Sequence, residues 1–302
     1  MKHILMLATG GTIACRQTGH GLSPSLTGEE LLEFIPQLDH ICRVTVINPL
    51  SVDSTDMSAQ HRQRLAQLLW DYRDRYDGFV VTHGTDTLGY TAALLYHMLP
   101  NFPKPVILTG SQQPMGEPNS DADTNLLGAF RFALTEYCGI GAFLHGKLIR
   151  GNRVVKVDCQ AKEAFRSVNA PFDGVTTSNG TAFVNHLQKM SGEPQLVSQL
   201  DTSVFLLRII PDLDPSIFDF LCRYHNVIIQ AFGSGGVPTR LEKVIQKLIL
   251  SGTKVYLTTQ CTYGGTDLHK YKVGRRAEAL GVVCLGDRTT EDALAAVMCG
   301  TL

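Results

Sequence analysis

Short runs of apolar and β-branched residues recur along this chain with helix-patterned segments between them, and that alternation narrows the fold more than any other feature. In the first half the runs are Ile4–Ala8, Val44–Ile47, Phe79–Val81, Val106–Leu108 and Ala142–Leu144. Strands buried on both faces read as continuous apolar runs, and a helix between successive strands lets them run parallel. Between Ser58 and Tyr76, residues Leu65, Leu68, Leu69, Tyr72 and Tyr76 form one apolar stripe at helical spacing, with Arg and Asp on the wet face. Thr27-Gly28-Glu29-Glu30 and Thr239-Arg240-Leu241-Glu242 both have capping-box spacing, so a helix is expected to start at each. From about Val175 to Thr202 the pattern lapses into polar and turn residues, including Thr176-Thr177-Ser178-Asn179-Gly180-Thr181 and Ser191-Gly192-Glu193-Pro194. The alternation then resumes at Val204–Ile210, Val227–Ala231, Lys254–Leu257 and Val282–Leu285, and the chain ends in a helical stretch at Glu291–Met298. Two α/β domains are expected. Residues 1–180 form the larger, a doubly wound and mainly parallel sheet, 181–203 a linker, and 204–302 a smaller parallel-sheet domain.

Composition removes several classes of partner. With 27 Lys+Arg against 28 Asp+Glu the formal net charge is -1, so the phosphate attraction behind nucleic-acid binding is missing and a small-molecule partner fits better. Ile4–Ala8 is shorter than a signal-peptide core and runs straight into Thr9-Gly10-Gly11-Thr12, so a cytoplasmic protein without membrane contact is expected. Asn179-Gly180-Thr181 matches a glycosylation acceptor, which would matter only in a secreted chain. The cysteines are scattered with no Cys-x-x-Cys, and several lie in apolar runs such as Val282-Val283-Cys284-Leu285, so free buried thiols are expected. The histidines show no ligand spacing, so no metal is expected. There is no Gly-x-Ser-x-Gly elbow and no Gly-x-Gly-x-x-Gly after Ile4–Ala8, and Gly146-Lys147 continues into Leu148 instead of Ser or Thr. No nucleotide cofactor is expected either.

The polar residues that can carry chemistry cluster where the apolar runs stop. Open α/β sheets bind ligands at the carboxyl ends of their strands, where Thr9-Gly10-Gly11-Thr12 falls. Its glycines let backbone N–H groups approach a bound group and Thr12 offers a hydroxyl, although taken alone an ordinary strand-to-loop turn is the better account. Thr82-His83-Gly84-Thr85-Asp86-Thr87 closes another run, and capping of a helix beginning near Leu88 is the plain account of Thr85 and Asp86. His83 reads as a satisfied structural residue and receives no catalytic role. Asp53-Ser54-Thr55-Asp56-Met57 is either a pocket for an amino acid's charged groups or a solvated loop with a cap. In Arg153-Val154-Val155-Lys156-Val157, alternation sends Lys156 and Val154 to one face of a strand and Val155 and Val157 to the other. A lysine there is either paired and functional, since burial favours the neutral amine that can act as a base, or an exposed edge residue.

Taken together, Thr9-Gly10-Gly11-Thr12-Ile13-Ala14, Asp53-Ser54-Thr55-Asp56-Met57, His83-Gly84-Thr85-Asp86-Thr87 and Lys156 resemble the bacterial-type L-asparaginase family in order and spacing. The resemblance continues through Thr109-Gly110-Ser111, Asn119-Ser120-Asp121-Ala122 and Ala164-Phe165-Arg166-Ser167. The late Thr259-Gln260-Cys261 and Tyr271-Lys272-Val273-Gly274 look like its cytosolic type I branch. The resemblance implies hydrolysis of L-asparagine to L-aspartate and ammonia without cofactor, in a homodimer or homotetramer whose sites lie between subunits. Thr12 matches the first threonine, the nucleophile, and Thr85, Asp86 and Lys156 match the second hydroxyl, carboxylate and lysine set. Backbone N–H groups near Gly11 and Thr85 would bind the oxyanion. Asp86, Ser54 and Thr55 match substrate-binding positions, with Thr55 where secreted members commonly carry Gln. Phe232-Gly233-Ser234-Gly235-Gly236 is a candidate contribution from the second domain of a neighbour. Many members have a loop tyrosine after Thr12, but Ala14 to Cys42 contains none and Leu22 occupies the equivalent region. The Gln17–Leu26 stretch is expected to act as a mobile lid.

Three other readings stand beside this one. A glutaminase or mixed glutaminase–asparaginase differs by one substrate methylene, which changes binding by only about 1–3 kcal/mol. The amidase subunit of a tRNA-dependent amidotransferase resembles the same family and carries an additional N-terminal domain, so a chain that starts at the catalytic strand is expected not to be one. A non-catalytic asparagine sensor would not need the intact Thr12, Thr85, Asp86 and Lys156 set.

Overall fold

The structure is a computed structural model and describes residues 1–19, 21–178, 180–184 and 192–302. Its first strands and helices follow the alternation of the sequence. In chain order they are β1 (His3–Ala8), a hairpin of β2 (Cys15–Thr18) and β3 (Gly21–Pro24), α1 (Gly28–Glu33), β4 (Arg43–Ile47) and α2 (Ala59–Tyr72). There follow β5 (Gly78–Thr82), α3 (Leu88–Met98), β6 (Pro105–Thr109), α4 (Ala122–Ala133), β7 (Gly139–Leu144) and β8 (Lys147–Arg150). The short pair β9 (Val154–Lys156) and β10 (Phe165–Ser167) precedes β11 (Gly174–Thr177) and β12 (Gly180–Phe183).

The main sheet has the order β12-β11-β8-β7-β6-β5-β1-β4, parallel from β4 to β7 and antiparallel beyond. Alternate residues of its parallel strands enter two different cores. Ile4, Met6, Val80 and Ile107 pack with Leu31 of α1 and Leu126, Ala129 and Phe130 of α4. Leu5, Leu7, Phe79 and Val81 are also fully buried and point the other way, the side taken by the largely buried α3. Covering both faces is what makes these strands apolar throughout. Strand β1 lies between β4 and β5, so the chain leaves it first to one side and then to the other, creating a switch point.

Local signals explain where the helices begin. The Thr27 box forms, with Glu30 N–H donating to Thr27 Oγ1 at 3.3 Å and Thr27 N–H to Glu30 Oε2 at 2.8 Å. An unforeseen box at Ser58 and His61 starts α2, on which Leu65 and Leu69 are fully buried while Tyr76 lies beyond the helix end.

Residues Met1–Ser198 form one compact unit and Gln199–Leu302 another. The second contains β13 (Val204–Arg208), α5 (Ile217–Leu221), β14 (Asn226–Ala231), α6 (Glu242–Leu250), β15 (Lys254–Thr259), α7 (Lys272–Ala279), β16 (Val283–Cys284) and α8 (Thr290–Cys299). Its strands form a parallel sheet in chain order. Val227, Ile229, Val255 and Leu257 pack with Phe218, Ile245, Leu248 and Ala277 of α5 to α7, while Ile228 and Tyr256 pack with Ala293 and Val297 of α8. The whole is the two-part α/β architecture expected from the sequence.

Several local expectations are corrected. Thr239 caps no helix: a 3-10 turn (Thr239–Leu241) precedes α6, and Arg276 of α7 donates to both Thr239 Oγ1 (2.9 Å) and Glu242 Oε1 (2.7 Å). The guanidinium has taken both groups the box would need. The cysteines are free, but only Cys15 and Cys42 are buried, while Cys159, Cys222, Cys261 and Cys284 are exposed. Cys284 sits on the two-residue edge strand β16, whose residues are both exposed. The polar stretch from Val175 contains β11 and β12, which extend the first sheet. Residues 185–191 of the 181–203 linker, Asn179 of the glycosylation triplet and His20 of the Gln17–Leu26 stretch lie outside the described residues. Among the described residues no helix is long and apolar enough to cross a membrane.

Candidate active site

Glycines bring the carboxyl ends of β1, β4 and β5 into backbone contact. Gly10 and Gly11 have φ of 94° and 77°, in the region that favours glycine. A Cβ on Gly11 would lie 2.3 Å from Gly84 N and Cα, and a Cβ on Gly84 would lie 2.7 Å from Ser54 Cβ and Oγ. Neither space exists for any other residue. Thr12, Ser54 and Thr85, each one step from these contacts or part of them, also each open a short 3-10 turn: Thr12–Ala14, Ser54–Asp56 and Thr85–Thr87. Thr87 Oγ1 donates to Ser54 O at 2.7 Å and holds two of these turns together.

Lys156 reaches the same place from β9. Its side chain is 16% exposed, and Nζ lies 2.7 Å from Asp86 Oδ1 and 2.9 Å from Thr85 Oγ1, donating to both. Lys156 is therefore paired, and the free edge-lysine account fails. The capping account of Thr85 and Asp86 fails as well, because α3 takes Thr87 as N-cap with no side-chain cap bond. Thr55 is exposed, and both its N–H and its hydroxyl donate to Asp53 Oδ1 at 2.8 Å, which holds the Asp53 carboxyl below the usual range. The structure thus links Thr85, Asp86 and Lys156 by hydrogen bonds, gathers Gly11, Thr12 and Ser54 against them, and turns the Thr55 hydroxyl to its own loop.

Asparaginase, N-terminal, is the family description matched by residues 3–189, and Glutaminase/Asparaginase C-terminal domain that matched by residues 203–301. The chain belongs to the asparaginase family. The Thermococcus kodakarensis L-asparaginase is 36% identical over 300 residues, covering 98% of this chain and 91% of that protein. A solved structure of the thermostable L-asparaginase from the same organism superposes with a TM-score of 0.92, covering 98% of this chain and 92% of that one. The L-asparaginase I structure from Vibrio cholerae is 29% identical with a TM-score of 0.88, covering 100% and 94%. A glutamyl-tRNA(Gln) amidotransferase component from Pyrococcus furiosus is 32% identical over 311 residues, covering 98% of this chain and 71% of that protein. This asparaginase-family chain is an amidohydrolase.

Two residues to which the sequence alone assigns no role belong to the site. Thr85 Oγ1 donates to Gln112 Oε1 at 3.0 Å, and Gln112 Nε2 donates to Ala161 O at 3.1 Å. The buried Asp121 accepts from the N–H groups of Gln112 and Gln113 at 3.1 Å and from Asn125 Nδ2 at 3.0 Å, fixing the turn after β6. The signal was the strand end itself: Thr109-Gly110-Ser111 repeats the pattern of the other two ends, and a Cβ on Gly110 would lie 2.3 Å from His83 O.

His83 is fully buried and acts on the site through Gly84. A carbonyl only accepts, so His83 Nδ1–H donates to Gly84 O at 2.7 Å, leaving Nε2 to accept from Thr91 Oγ1 at 2.8 Å. Arg62 Nε donates in turn to Thr91 Oγ1 at 2.9 Å. Fixing the Gly84 carbonyl fixes the Thr85 N–H, which points oppositely across the same planar peptide. The N–H of Gly11 itself donates to Val52 O at 3.1 Å. The N–H groups beside it, of Thr12 and Thr85, are each first in a 3-10 turn and without a partner inside it.

The Gln17–Leu26 stretch carries a β-hairpin: Arg16 pairs with Ser23, Gln17 with Leu22 and Thr18 with Gly21. The N–H groups of Ser25 and Leu26 both donate to Ala14 O at 2.9 Å, anchoring its return beside the Thr12 turn. Among the described residues no group of three His, Cys, Asp or Glu could hold a metal ion.

Proposed function

We propose that this protein hydrolyses the side-chain amide of L-asparagine to L-aspartate and ammonia with Thr12 as nucleophile. The observation that carries the reading is Lys156 Nζ bound to both Thr85 Oγ1 and Asp86 Oδ1, beside the Thr12 turn of an asparaginase-family chain. Thr12 Oγ1 adds to the carboxamide carbon, and the N–H groups of Thr12 and Thr85 stabilise the oxyanion. The Thr12 hydroxyl proton passes to the Thr85 hydroxyl, whose own hydrogen leaves Gln112 and moves to the neutral amine of Lys156, and Lys156 returns that proton by the same route to the nitrogen as the C–N bond breaks and ammonia departs. Water then adds to the acyl ester and releases aspartate and Thr12. Ser54 and its turn hold the substrate carboxylate. Asp86 orients Lys156 and binds the substrate ammonium. By its type I resemblance the enzyme works in the cytoplasm as a homodimer or homotetramer, with the Phe232–Gly236 turn after β14 completing a neighbour's site.

A glutaminase is the second reading, favoured by the 32% identity to an amidotransferase component. Ammonia release from both amides, without added metal or nucleotide, separates the two. Asparagine should be turned over with at least about tenfold higher kcat/KM, and glutamine turnover equal to it sinks the asparaginase reading. Thr12→Ala and Lys156→Met should each lower kcat at least about a hundredfold. Near-normal kcat in Lys156→Met would show the roles to be misassigned.

A further inference from the structure

The Thr85 hydroxyl has one hydrogen and two lone pairs, and two of those three positions are committed. A Lys156 Nζ–H donates to Thr85 Oγ1 at 2.9 Å and so occupies a lone pair. The Gln112 carbonyl oxygen can only accept, so at 3.0 Å it takes the hydrogen. The Gln112 amide cannot be turned over: its nitrogen donates to Ala161 O at 3.1 Å, and a flip would set two carbonyl oxygens against each other. Its backbone is equally fixed by the Asp121 carboxylate. What Thr85 Oγ1 has left to offer is a lone pair.

A substrate carboxamide and a product carboxylate differ at that point. The carboxamide presents N–H, which a lone pair accepts, whereas the carboxylate presents only oxygen, which it repels. The N–H groups of Lys156 suit a carboxylate as well, so something beside them must disfavour product. We infer that Gln112 is a specificity-determining positioning residue that holds the Thr85 hydroxyl as an acceptor and so selects the carboxamide over the carboxylate. The inference rests on the amidohydrolase reading of Thr85 given above. Removing the acceptor frees the Thr85 hydrogen to turn toward an oxygen of the product.

The readout is the ratio of the aspartate inhibition constant to KM for asparagine, which a merely structural role for Gln112 would leave in place. Gln112→Leu, which neither accepts nor donates, should lower that ratio about tenfold, the scale of one hydrogen bond exchanged for a mismatch. Gln112→Glu keeps an acceptor for the Thr85 hydrogen at neutral pH and should leave the ratio at or above wild type. Thermal melting checks folding, and Gln112→Asn, one methylene too short to reach Thr85, replaces the leucine variant if that does not fold. An unchanged ratio in Gln112→Leu, or a fall in Gln112→Glu matching it, overturns the inference while wild-type activity still supports the parent reading. Wild-type protein releasing ammonia from neither amide overturns both.

Discussion

At Gly84 the direction of one carbonyl is decided by a histidine that takes no part in the proposed reaction. Burial pushes the His83 pKa down to about 4, with the nearby Arg62 charge adding to the effect and the bond to Gly84 opposing it. Unfolded, the same imidazole titrates near 6.5, so between those values only the unfolded chain takes up the proton. His83 therefore costs no stability above about pH 6.5, and destabilises the fold progressively as pH falls toward 4, by about 3 kcal/mol in all. Protonation also turns Nε2 into a donor facing Thr91, breaking the chain from Arg62. Melting curves for wild type and His83→Gln between pH 7 and pH 4 should diverge, with the wild type falling more steeply. Parallel curves would show that His83 is not held neutral. The sequence showed His83 as structural because a lone histidine behind a buried strand has nowhere to send a proton, but it did not show the partners, which come from α2 and α3.

The junction of strand ends depends on elements meeting without side chains between them. Gly84 has φ of -69°, which alanine adopts freely, so the cost of Gly84→Ala comes from a Cβ 2.7 Å from Ser54 and 3.2 Å from Gly11 Cα. Overpacking of that kind costs about 1–3 kcal/mol, and here it also pushes the Ser54 turn away from Thr85. Gly84→Ala should lower both the melting temperature and kcat/KM, whereas Gly19→Ala, with nothing within 4 Å of its Cβ, should leave the melting temperature unchanged. Equal behaviour of the two variants would remove steric contact as the reason for glycine. The parallel strands were legible because burial on both faces leaves a pure apolar run, as in Ile4–Ala8. The added edge was not: Gly174-Val175-Thr176-Thr177 runs straight into the turn residues Ser178-Asn179-Gly180, and its strand is defined by pairing with Lys147 and Leu148 on one side and with β12 on the other. Thr239 and Glu242 have the same spacing as Thr27 and Glu30, and only the approach of Arg276 separates the two outcomes. In the site, threonines after strand-end glycines could be read from the chain, while the strand end Thr109-Gly110-Ser111 marked the neighbourhood of Gln112 but not its contact with Thr85, which joins residues 27 apart.

At the scale of the molecule, every residue of the proposed chemistry lies in the unit Met1–Ser198. The second unit has a half-buried turn, exposed at Gly233, that the proposal offers to a neighbour. After β14 the chain reverses at Phe232–Gly236, where Phe232 and Gly236 pair and Gly233 and Gly235 take φ of 50° and 117°. A rigid turn at the carboxyl end of a parallel strand is a place from which small groups can be presented. With a net charge of -1, long-range repulsion between copies is also weak. The proposal of sites completed between subunits gives a result that self-contained sites do not. Thr12→Ala spoils the nucleophile but leaves the turn, while Ser234→Trp blocks the turn but leaves the nucleophile. Each variant alone should be nearly inactive, and refolding the two together should restore activity in hybrid oligomers, where one chain supplies Thr12 and the other an unblocked turn. Light scattering should give a dimer or tetramer, and dilution should lower specific activity in step with dissociation. A fully active monomer, or two inactive variants that stay inactive when combined in hybrids of the expected mass, would place the complete site within one chain.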